Sequence, residues 1–283
     1  MKKIEFYKYH GLGNDFLIID LIGKNTAGID YNALAAEICD RHFGVGGDGI
    51  LVLTGSRKAD CTMDLFNSDG SWAEKSGNGL RCVAAYLREN KTKSKAISIE
   101  NTEGISEARI IRHAKGLSEI RVDIGEPCFD TAKIPMKSKF KYHINQPIKI
   151  LGQNIPVTAL AVGNPHCVIF VDDLEFNWMT LGEHVENHPD FPNRTNVEFV
   201  KVVNSGKAIV NDWERGAGAT GSSGTGAAAA AVAGVIGGVL KRKAEIVFPS
   251  GSLFIDWNER DDHIFLAGPA MFVCQGVYHY DGK

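Results

Sequence analysis

The chain has 283 residues, of which 44% are hydrophobic and 23% charged, and its formal net charge at pH 7 is −3. This composition is typical of an ordinary globular protein, and the length allows about two domains with cores of their own. Because the charge is not strongly basic, nucleic acid is not expected as a partner. The N-terminus lacks the apolar run of a signal peptide, and the apolar stretch 224–240 is short and rich in alanine and glycine. We therefore expect no membrane span and a cytoplasmic location.

Strands and helices are predicted along both halves of the chain from the spacing of apolar residues. In the first half, strands are predicted at 4–9, 16–20, 50–53 and 62–67 and as short pieces over 96–124, and helices at 31–42 and 80–90. Ser76 or Asn78 is the expected N-cap of the second helix. In the second half, strands are predicted near 158–171, 197–202, 207–213 and from 244 onward, and helices near 179–187 and in the alanine-rich run after Ser223.

Two segments of the chain carry nearly the same pattern. One begins at Asn67 and reads NSDGSWAEKSGNGLRCVAAYL, and the other begins at Glu214 and reads ERGAGATGSSGTGAAAAAVAG. A second repeat lies upstream of each, where GNDFLIID at Gly13 corresponds to GNPHCVIFVDD at Gly163. The chain is therefore interpreted as an internal duplication.

The duplication predicts an α/β (α+β) fold with two pseudo-symmetric lobes. Because strands outnumber helices, each lobe is expected to be a mostly antiparallel sheet wrapped around one central helix. The N-terminal lobe is predicted at 1–125 and the C-terminal lobe at 126–265, with 266–283 returning to the N-terminal lobe. The stretch 125–146, with its prolines and lysines, is interpreted as the crossover between the halves.

Each half has a Ser-Gly-polar-Gly stretch at the predicted start of a long helix. Such a stretch alone is explained by an ordinary helix start, with glycines for tight backbone geometry. Its paired occurrence, with Asn67 before Ser76 and Glu214 before Ser223, favours a binding site instead. Backbone N–H groups and the helix dipole at such a point favour a bound anion. A carboxylate is expected rather than a nucleotide, because neither a Walker A lysine nor a Rossmann fingerprint is present.

At these residues the chain resembles the diaminopimelate epimerase family of cofactor-independent amino-acid racemases. The resemblance covers nearly the whole chain and rests on motifs in family order: HGLGNDF at 10–16, RHFGVGGDG at 41–49, NSDGSWAEKSGNGLRC at 67–82, GNPHCV at 163–168, RTNVEF at 194–199, ERGAGAT at 214–220 and SGTG at 223–226. It implies a two-lobed fold with the active site in the cleft between the lobes. It also implies a homodimer with a small-molecule amino-acid substrate, whose L,L- and meso-diaminopimelate forms it interconverts in the synthesis of lysine and cell-wall precursors.

In that family, two cysteines invert the substrate α-carbon by removing a proton on one face and returning one on the other. The matching positions here are Ser76 and Ser223. A thiol has an ordinary pKa of about 8.5, whereas a hydroxyl is far less acidic and a poor base for an α-proton. The resemblance implies that His166 and Glu214 tune these two positions. Efficient activation of a serine by His166 is not expected.

The substrate-recognition residues of the family are all present. By resemblance, the distal amino-acid end of the substrate would be held by Asn14, Asn67, Asn164, Asn196, Glu214 and Arg215. Glu214 would pair with an ammonium group and Arg215 with a carboxylate. The backbone N–H groups next to the reacting carbon would come from Gly77, Asn78, Gly224 and Thr225. No histidine or acidic cluster has metal-ligand spacing, and neither a metal nor an organic cofactor is expected.

Three functions remain open from the sequence. The first is a diaminopimelate epimerase-like enzyme in which the two serines impair the reaction, whether they are natural or engineered. The second is an amino-acid lyase or dehydratase, although related lyases keep one thiol. The third is a non-catalytic amino-acid-binding protein.

Overall fold

The computed structural model describes residues 2–24, 28–73, 76–102 and 104–282. The chain divides into two compact units. The first unit consists of Met1–Val122 and Ala267–Lys283, and the second unit consists of Asp123–Leu266.

The first unit contains two helices and most of its strands in the order ββαβββαβββ. Their bounds are β1 (Lys2–Gly11), β2 (Asn14–Asp20), α1 (Tyr31–Ile38), β3 (Gly49–Thr54), β4 (Cys61–Asn67), β5 (Trp72–Ala73), α2 (Gly77–Asn90), β6 (Ala96–Asn101), β7 (Gly104–Ala114) and β8 (Leu117–Asp123).

The second unit begins with one additional strand and then repeats that order. Its elements are β9 (Gln146–Ile150), β10 (Gln153–Val162), β11 (Asn164–Phe170), α3 (Trp178–Glu186), β12 (Asn196–Asn204), β13 (Lys207–Glu214), β14 (Gly218–Thr220), α4 (Gly224–Ile236), β15 (Lys243–Phe248), β16 (Gly251–Trp257) and the long β17 (Ile264–Tyr280), which continues into the first unit.

Eight strands of the first unit form a closed ring. β1 pairs with β2, β3 with β4, β6 with β7 and β7 with β8 in antiparallel fashion, whereas β2–β3 and β4–β6 are parallel. β17 closes the ring by pairing with both β1 and β8. Helix α2 contacts β1, β2, β6 and β7, and it is buried from Gly77 to Leu87. A helix buried on all sides is expected when it forms the core of its own sheet.

The second unit repeats five of these pairings. β10–β11, β12–β13 and β15–β16 are antiparallel, and β11–β12 and β13–β15 are parallel. Helix α4 contacts six strands, β10 to β13, β15 and β16. Its buried side is almost entirely glycine and alanine, which lets the strands approach the helix closely. The predicted fold, a mostly antiparallel sheet around one helix in each half, is thereby confirmed.

The strand registers show which residues of the two units correspond to each other. Phe16 pairs with Gly49 in the first unit as His166 pairs with Asn196 in the second. Two positions further on, the cross-strand pair Leu51–Leu65 of the first unit corresponds to Glu198–Asp212 of the second. The next pair along, Leu65–Ala73, corresponds to Asp212–Thr220. The two copies therefore share a backbone and differ in chemistry at matched positions.

Two sequence predictions about the helices need correction. The first helix was predicted to extend to residue 42 but ends at Ile38. The reason lies in Asp40, whose Oδ1 accepts hydrogen bonds from the backbone N–H groups of His42 and Phe43 and so forms a turn there. The second helix begins at Gly77, earlier than predicted, and its N-cap is Ser76 and not Asn78.

Within the part of the chain that the structure describes, no helix is both long and apolar enough to cross a membrane. All six cysteines carry free thiols, and four of them are buried.

Candidate active site

The N-terminus of α2 is capped by Ser76. Its backbone is extended (φ −136°, ψ 119°), and its Oγ accepts a hydrogen bond from the backbone N–H of Gly79 at 3.1 Å. A Cβ at Gly79 would lie 3.2 Å from a methyl group of Leu51 and 3.3 Å from the Cβ of Ser76. Glycine at this position therefore lets the serine and the helix start lie directly against the sheet.

The N-terminus of α4 has the same construction around Ser223. The backbone of Ser223 is again extended (φ −127°, ψ 129°), and its Oγ accepts from the backbone N–H of Gly226 at 3.1 Å. Here a Cβ at Gly226 would lie 2.9 Å from the Cβ of Ser223 and 3.0 Å from Oε1 of Glu198. The two serine caps are therefore alike in geometry, but the glycine that receives the cap packs against a leucine at one helix start and against a carboxyl group at the other.

The backbone donors predicted from the sequence lie in the first turns of these helices. Gly77 and Asn78 are the first two residues of α2, and Gly224 and Thr225 are the first two of α4. N–H groups in a first turn have no partner within their own helix. Together with the helix dipole, such groups are suited to bind a carboxylate.

A partly buried polar network brings Asn14 and Asn78 together in the first unit. Asn78 donates from Nδ2 to Oδ1 of Asn14 at 2.9 Å, and Asn14 donates from Nδ2 to Asp48 at 2.7 Å. Behind them, Nη2 of Arg81 donates to Oδ1 of Asn78 at 2.7 Å. Arg81 is completely buried, and burial lowers its pKa to about 10. The sequence reasoning missed Asp48 and Arg81, although both lie inside the motifs that carry the resemblance.

Asn67 lies at the end of β4, apart from that network. Its Nδ2 donates to Oγ of Ser71 at 3.0 Å, and its backbone N–H donates to the carbonyl of Ser71 at 2.8 Å. The side chain is therefore held by the turn that leads towards α2.

In the second unit, His166 connects two site residues across neighbouring strands. Its Nδ1 lies 2.6 Å from Oε1 of Glu198, and its Nε2 lies 2.8 Å from Oδ1 of Asn164. His166 and Glu198 are 0% and 1% exposed, so water does not compete for these bonds. Because both ring nitrogens are engaged, His166 is not available as a base for Ser223.

Asn196 and Arg215 are joined through the backbone. Oδ1 of Asn196 accepts from the backbone N–H of Arg215 at 2.9 Å, and its Nδ2 donates to the carbonyl of Pro165 at 2.7 Å. The guanidinium of Arg215 is exposed and donates to the carbonyl of Asn193 at 3.3 Å. Asn196 is therefore placed to orient the Arg215 backbone, whereas the Arg215 side chain projects towards solvent.

Glu214 belongs to a carboxyl cluster that the sequence reasoning did not find in full. Oγ1 of Thr220 is 2.7 Å from Oε1 of Glu214 and also forms a hydrogen bond with Oδ2 of Asp212. Asp212 is 1% exposed, and burial together with the neighbouring Glu214 and Glu198 raises its pKa to about 8. Burial also raises the pKa of Glu198, although His166 opposes this shift. A signal was present, since an acidic residue interrupts each of the apolar strands NVEFV and IVNDW.

Solved structures with low sequence identity share this fold. A hydroxyproline epimerase from Agrobacterium vitis matches with a TM-score of 0.71 at 13% identity, covering 100% of this chain and 92% of its own. A PhzF-family phenazine biosynthesis protein from Bacillus anthracis matches with a TM-score of 0.69 at 16% identity, covering 99% of this chain and 100% of its own. The class is therefore the fold shared by that hydroxyproline epimerase and the PhzF-family protein.

Sequence comparison identifies the family within this class. The model of the diaminopimelate epimerase family matches residues 6–129 and 158–273. The diaminopimelate epimerase of Pelotomaculum thermopropionicum is 43% identical over 279 residues, which is 98% of this chain and 99% of the relative. That of Carboxydothermus hydrogenoformans is 44% identical over 278 residues, which is 97% of this chain and 99% of the relative. The chain belongs to the diaminopimelate epimerase family.

Proposed function

We propose that this protein binds diaminopimelate, a diamino-dicarboxylate, and that the two-base epimerisation between its L,L and meso forms is strongly slowed by Ser76 and Ser223. The observation that carries the proposal is the pair of serine-capped helices, α2 and α4, at equivalent positions of the duplication. By the resemblance, these serines occupy the positions of the two thiols that exchange the α-proton. Membership of the family supports the reaction class and the substrate class.

The slow reaction follows from the chemistry of the hydroxyl group. A general base is most effective when its pKa is close to the working pH, which a helix-capping thiol satisfies and a serine does not. The Oγ atoms of Ser76 and Ser223 accept a backbone hydrogen bond, so each neutral hydroxyl keeps a hydrogen to donate. Each serine can therefore bind a ligand oxygen, but neither removes an α-proton efficiently.

Recognition of the substrate is assigned as the resemblance implies. Glu214 pairs with the distal ammonium group and Arg215 with the distal carboxylate, and four asparagines complete this set: Asn14, Asn67, Asn164 and Asn196. The carboxylate beside the reacting carbon is bound by backbone N–H groups of the two first turns, from Gly77, Asn78, Gly224 and Thr225. His166 tunes the Ser223 position, and no metal or organic cofactor takes part. We further propose that the protein is a cytoplasmic homodimer that works in lysine and cell-wall precursor synthesis.

A non-catalytic binding protein is the second candidate. The observation that favours it is the presence of a hydroxyl at both helix caps, which leaves no thiol at either position. The same observation counts against a lyase, because the related lyases keep one thiol.

The experiment measures binding and proton exchange in parallel. Calorimetric titration should show binding of meso-diaminopimelate, and ¹H NMR in deuterated water should show exchange of its α-proton far more slowly than enzymes turn over. Steady-state epimerisation near the enzyme median of about 10 s⁻¹ would contradict the impairment. Slow exchange supports the epimerase lineage, binding without any exchange supports the binding protein, and an elimination product supports the lyase. Absence of binding at pH 7 would refute the substrate assignment.

A further inference from the structure

One hydroxyl group in the second unit lies between two carboxyl groups. Oγ1 of Thr220 is within hydrogen-bond distance of Oδ2 of Asp212 and of Oε1 of Glu214. A hydroxyl has only one hydrogen to donate, and an ionised carboxylate only accepts. Unless this one hydrogen is shared between the two oxygens, the two bonds require that one of the carboxyl groups carries a proton and donates it to Thr220.

The surroundings assign this proton to Asp212. Asp212 is 1% exposed, and its other oxygen, Oδ1, is buried without a hydrogen-bond partner. Burial raises the pKa of Asp212 to about 8, and the negative charges of Glu214 and Glu198 act in the same direction. An isolated buried carboxyl group is far more stable when neutral than when ionised.

The titratable groups around Asp212 do not supply a compensating cation. Across the strand pair lies Glu198 of β12, whose carboxyl group is engaged by His166 of β11. Glu186 of α3 binds the indole nitrogen of Trp213, the neighbour of Asp212 on β13, at 2.6 Å. Helix α4, GTGAAAAAVAGVI, has no titratable side chain. Within the described ranges, neither a lysine nor an arginine forms an ion pair with Asp212.

The first unit shows the same backbone without this requirement. Leu65 and Ala73 take the positions of Asp212 and Thr220, and Asn67 takes the position of Glu214. The amide of Asn67 donates to Oγ of Ser71 at 3.0 Å, and Ser71 donates to the single carboxylate of Asp69 at 2.6 Å, so no carboxyl group there needs a proton. The additional proton is therefore a property of the second unit only.

We propose that Asp212 is a positioning residue for ligand binding: in its protonated form it donates to Oγ1 of Thr220, and the Thr220 hydroxyl is thereby directed to Glu214. Glu214 is left ionised and oriented to receive the ammonium group of the ligand. When Asp212 releases its proton to solvent, two carboxylates compete for one hydroxyl hydrogen, and the hydrogen bond that Thr220 donates to Glu214 is weakened. The proposal rests on the proposed function, in which Glu214 binds the distal ammonium.

Calorimetric titration of meso-diaminopimelate at pH 7 and pH 9 tests this coupling. The variant is Asp212→Asn, whose amide donates to Thr220 at both pH values. The control is Asp64→Asn on β4, which removes another aspartate whose pKa burial raises, in the first unit. Ionisation of the ligand affects all three proteins equally. Because the pKa of Asp212 is about 8, only about a tenth of Asp212 is protonated at pH 9. Between pH 7 and pH 9, the Kd of the wild type and of Asp64→Asn should therefore rise about tenfold more than the Kd of Asp212→Asn.

Two variants of Thr220 test the same coupling without a change at Asp212. Thr220→Ser retains the hydroxyl and should keep the pH dependence of the wild type. Thr220→Val removes the hydroxyl, so it should bind more weakly at pH 7 and show the smaller rise of Asp212→Asn. Circular dichroism spectra and melting curves establish that each variant is folded.

Infrared difference spectroscopy of the ligand-free protein detects the proton on Asp212 directly. The wild type minus Asp212→Asn spectrum should contain a protonated carboxyl C=O band at pH 7 that disappears as the pH rises through about 8. Absence of this band, or an equal rise in Kd for the wild type and Asp212→Asn, would overturn the inference. Failure of the wild type to bind at pH 7 would overturn the proposed function and the coupling together, whereas the band would still decide the position of the proton.

Discussion

Replacing both cap serines by cysteine should convert this protein into an active epimerase. Oγ of Ser76 and Oγ of Ser223 each accept a backbone N–H at 3.1 Å at a helix N-terminus. A sulfur atom in the same place would receive the same hydrogen bond and the same helix dipole, both of which favour a thiolate. The double variant Ser76→Cys with Ser223→Cys therefore recreates an acid–base pair at the two equivalent caps.

The expected gain can be worked out from the ionisation of the thiols. At pH 8, roughly a quarter of the thiol groups with the ordinary pKa of about 8.5 are ionised. The helix N-termini increase this fraction. A well-placed general acid or base contributes about 10²- to 10⁴-fold to a rate. We therefore expect epimerisation to rise at least about 10²-fold, a lowering of the barrier by about 2.7 kcal/mol.

The assay follows the interconversion of L,L- and meso-diaminopimelate by chromatography and α-proton exchange by NMR. Each single-cysteine variant should support at most one-sided exchange, because inversion needs a base on one face and an acid on the other. Ser76→Cys with Ser222→Cys is the matched control, since Ser222 is as buried as Ser223 but does not cap α4. Full epimerisation by a single variant or by this control would refute the reasoning, as would a double-cap variant no faster than the present sequence.

Two further predictions concern binding and stability. Arg215→Ala should weaken binding of meso-diaminopimelate by about 1.5–3 kcal/mol and leave that of alanine nearly unchanged, because alanine lacks the distal carboxylate that Arg215 is proposed to bind; equal losses in calorimetric titrations of both ligands would show that Arg215 only braces its loop. Asp15→Asn should lower the free energy of unfolding by about 1.5–3 kcal/mol at pH 7, because the neutral amide cannot form the ion pairs that Asp15 makes with Arg41 at 2.7 Å and with Lys8 at 2.8 Å. Burial alone would raise the pKa of Asp15, but these two cations hold it below its ordinary value. The stabilisation is therefore complete above the unfolded pKa and is lost as the pH falls through the folded pKa, so urea titrations should show the difference between wild type and variant shrinking below about pH 4.

Much of the fold could be predicted because its signals are local. Apolar alternation and glycine turns mark the strands, and the repeated Ser-Gly-polar-Gly stretches mark the starts of α2 and α4. The early end of α1 was missed because Asp40 stops the helix through its own side-chain hydrogen bonds, which compete with an otherwise helical apolar pattern. Boundaries of this kind depend on a few polar atoms and not on periodicity.

The candidate site was predicted only in part, since motifs identify residue types and not partners. The resemblance named His166 and Glu214, yet their hydrogen-bond partners Glu198 and Thr220 come from other strands of the sheet. Asp212 lies in none of the motifs. Its significance depends on the β12–β13 and β13–β14 registers, which place it beside Glu198 and Thr220. The roles of all these residues remain predictions for the experiments described above.

The sequence by itself determined the duplication, the family and the serine at each helix cap, because these are properties of order and spacing along the chain. The tertiary structure decided that the two caps pack on different chemistry, with Leu51 against Gly79 at one helix start and Glu198 against Gly226 at the other. Burial and strand register produce that difference, since an acidic side chain changes its protonation only where water is excluded and other carboxyl groups lie close. A linear sequence shows which residues carry charge, and only the packed sheet shows which of those charges must be neutralised.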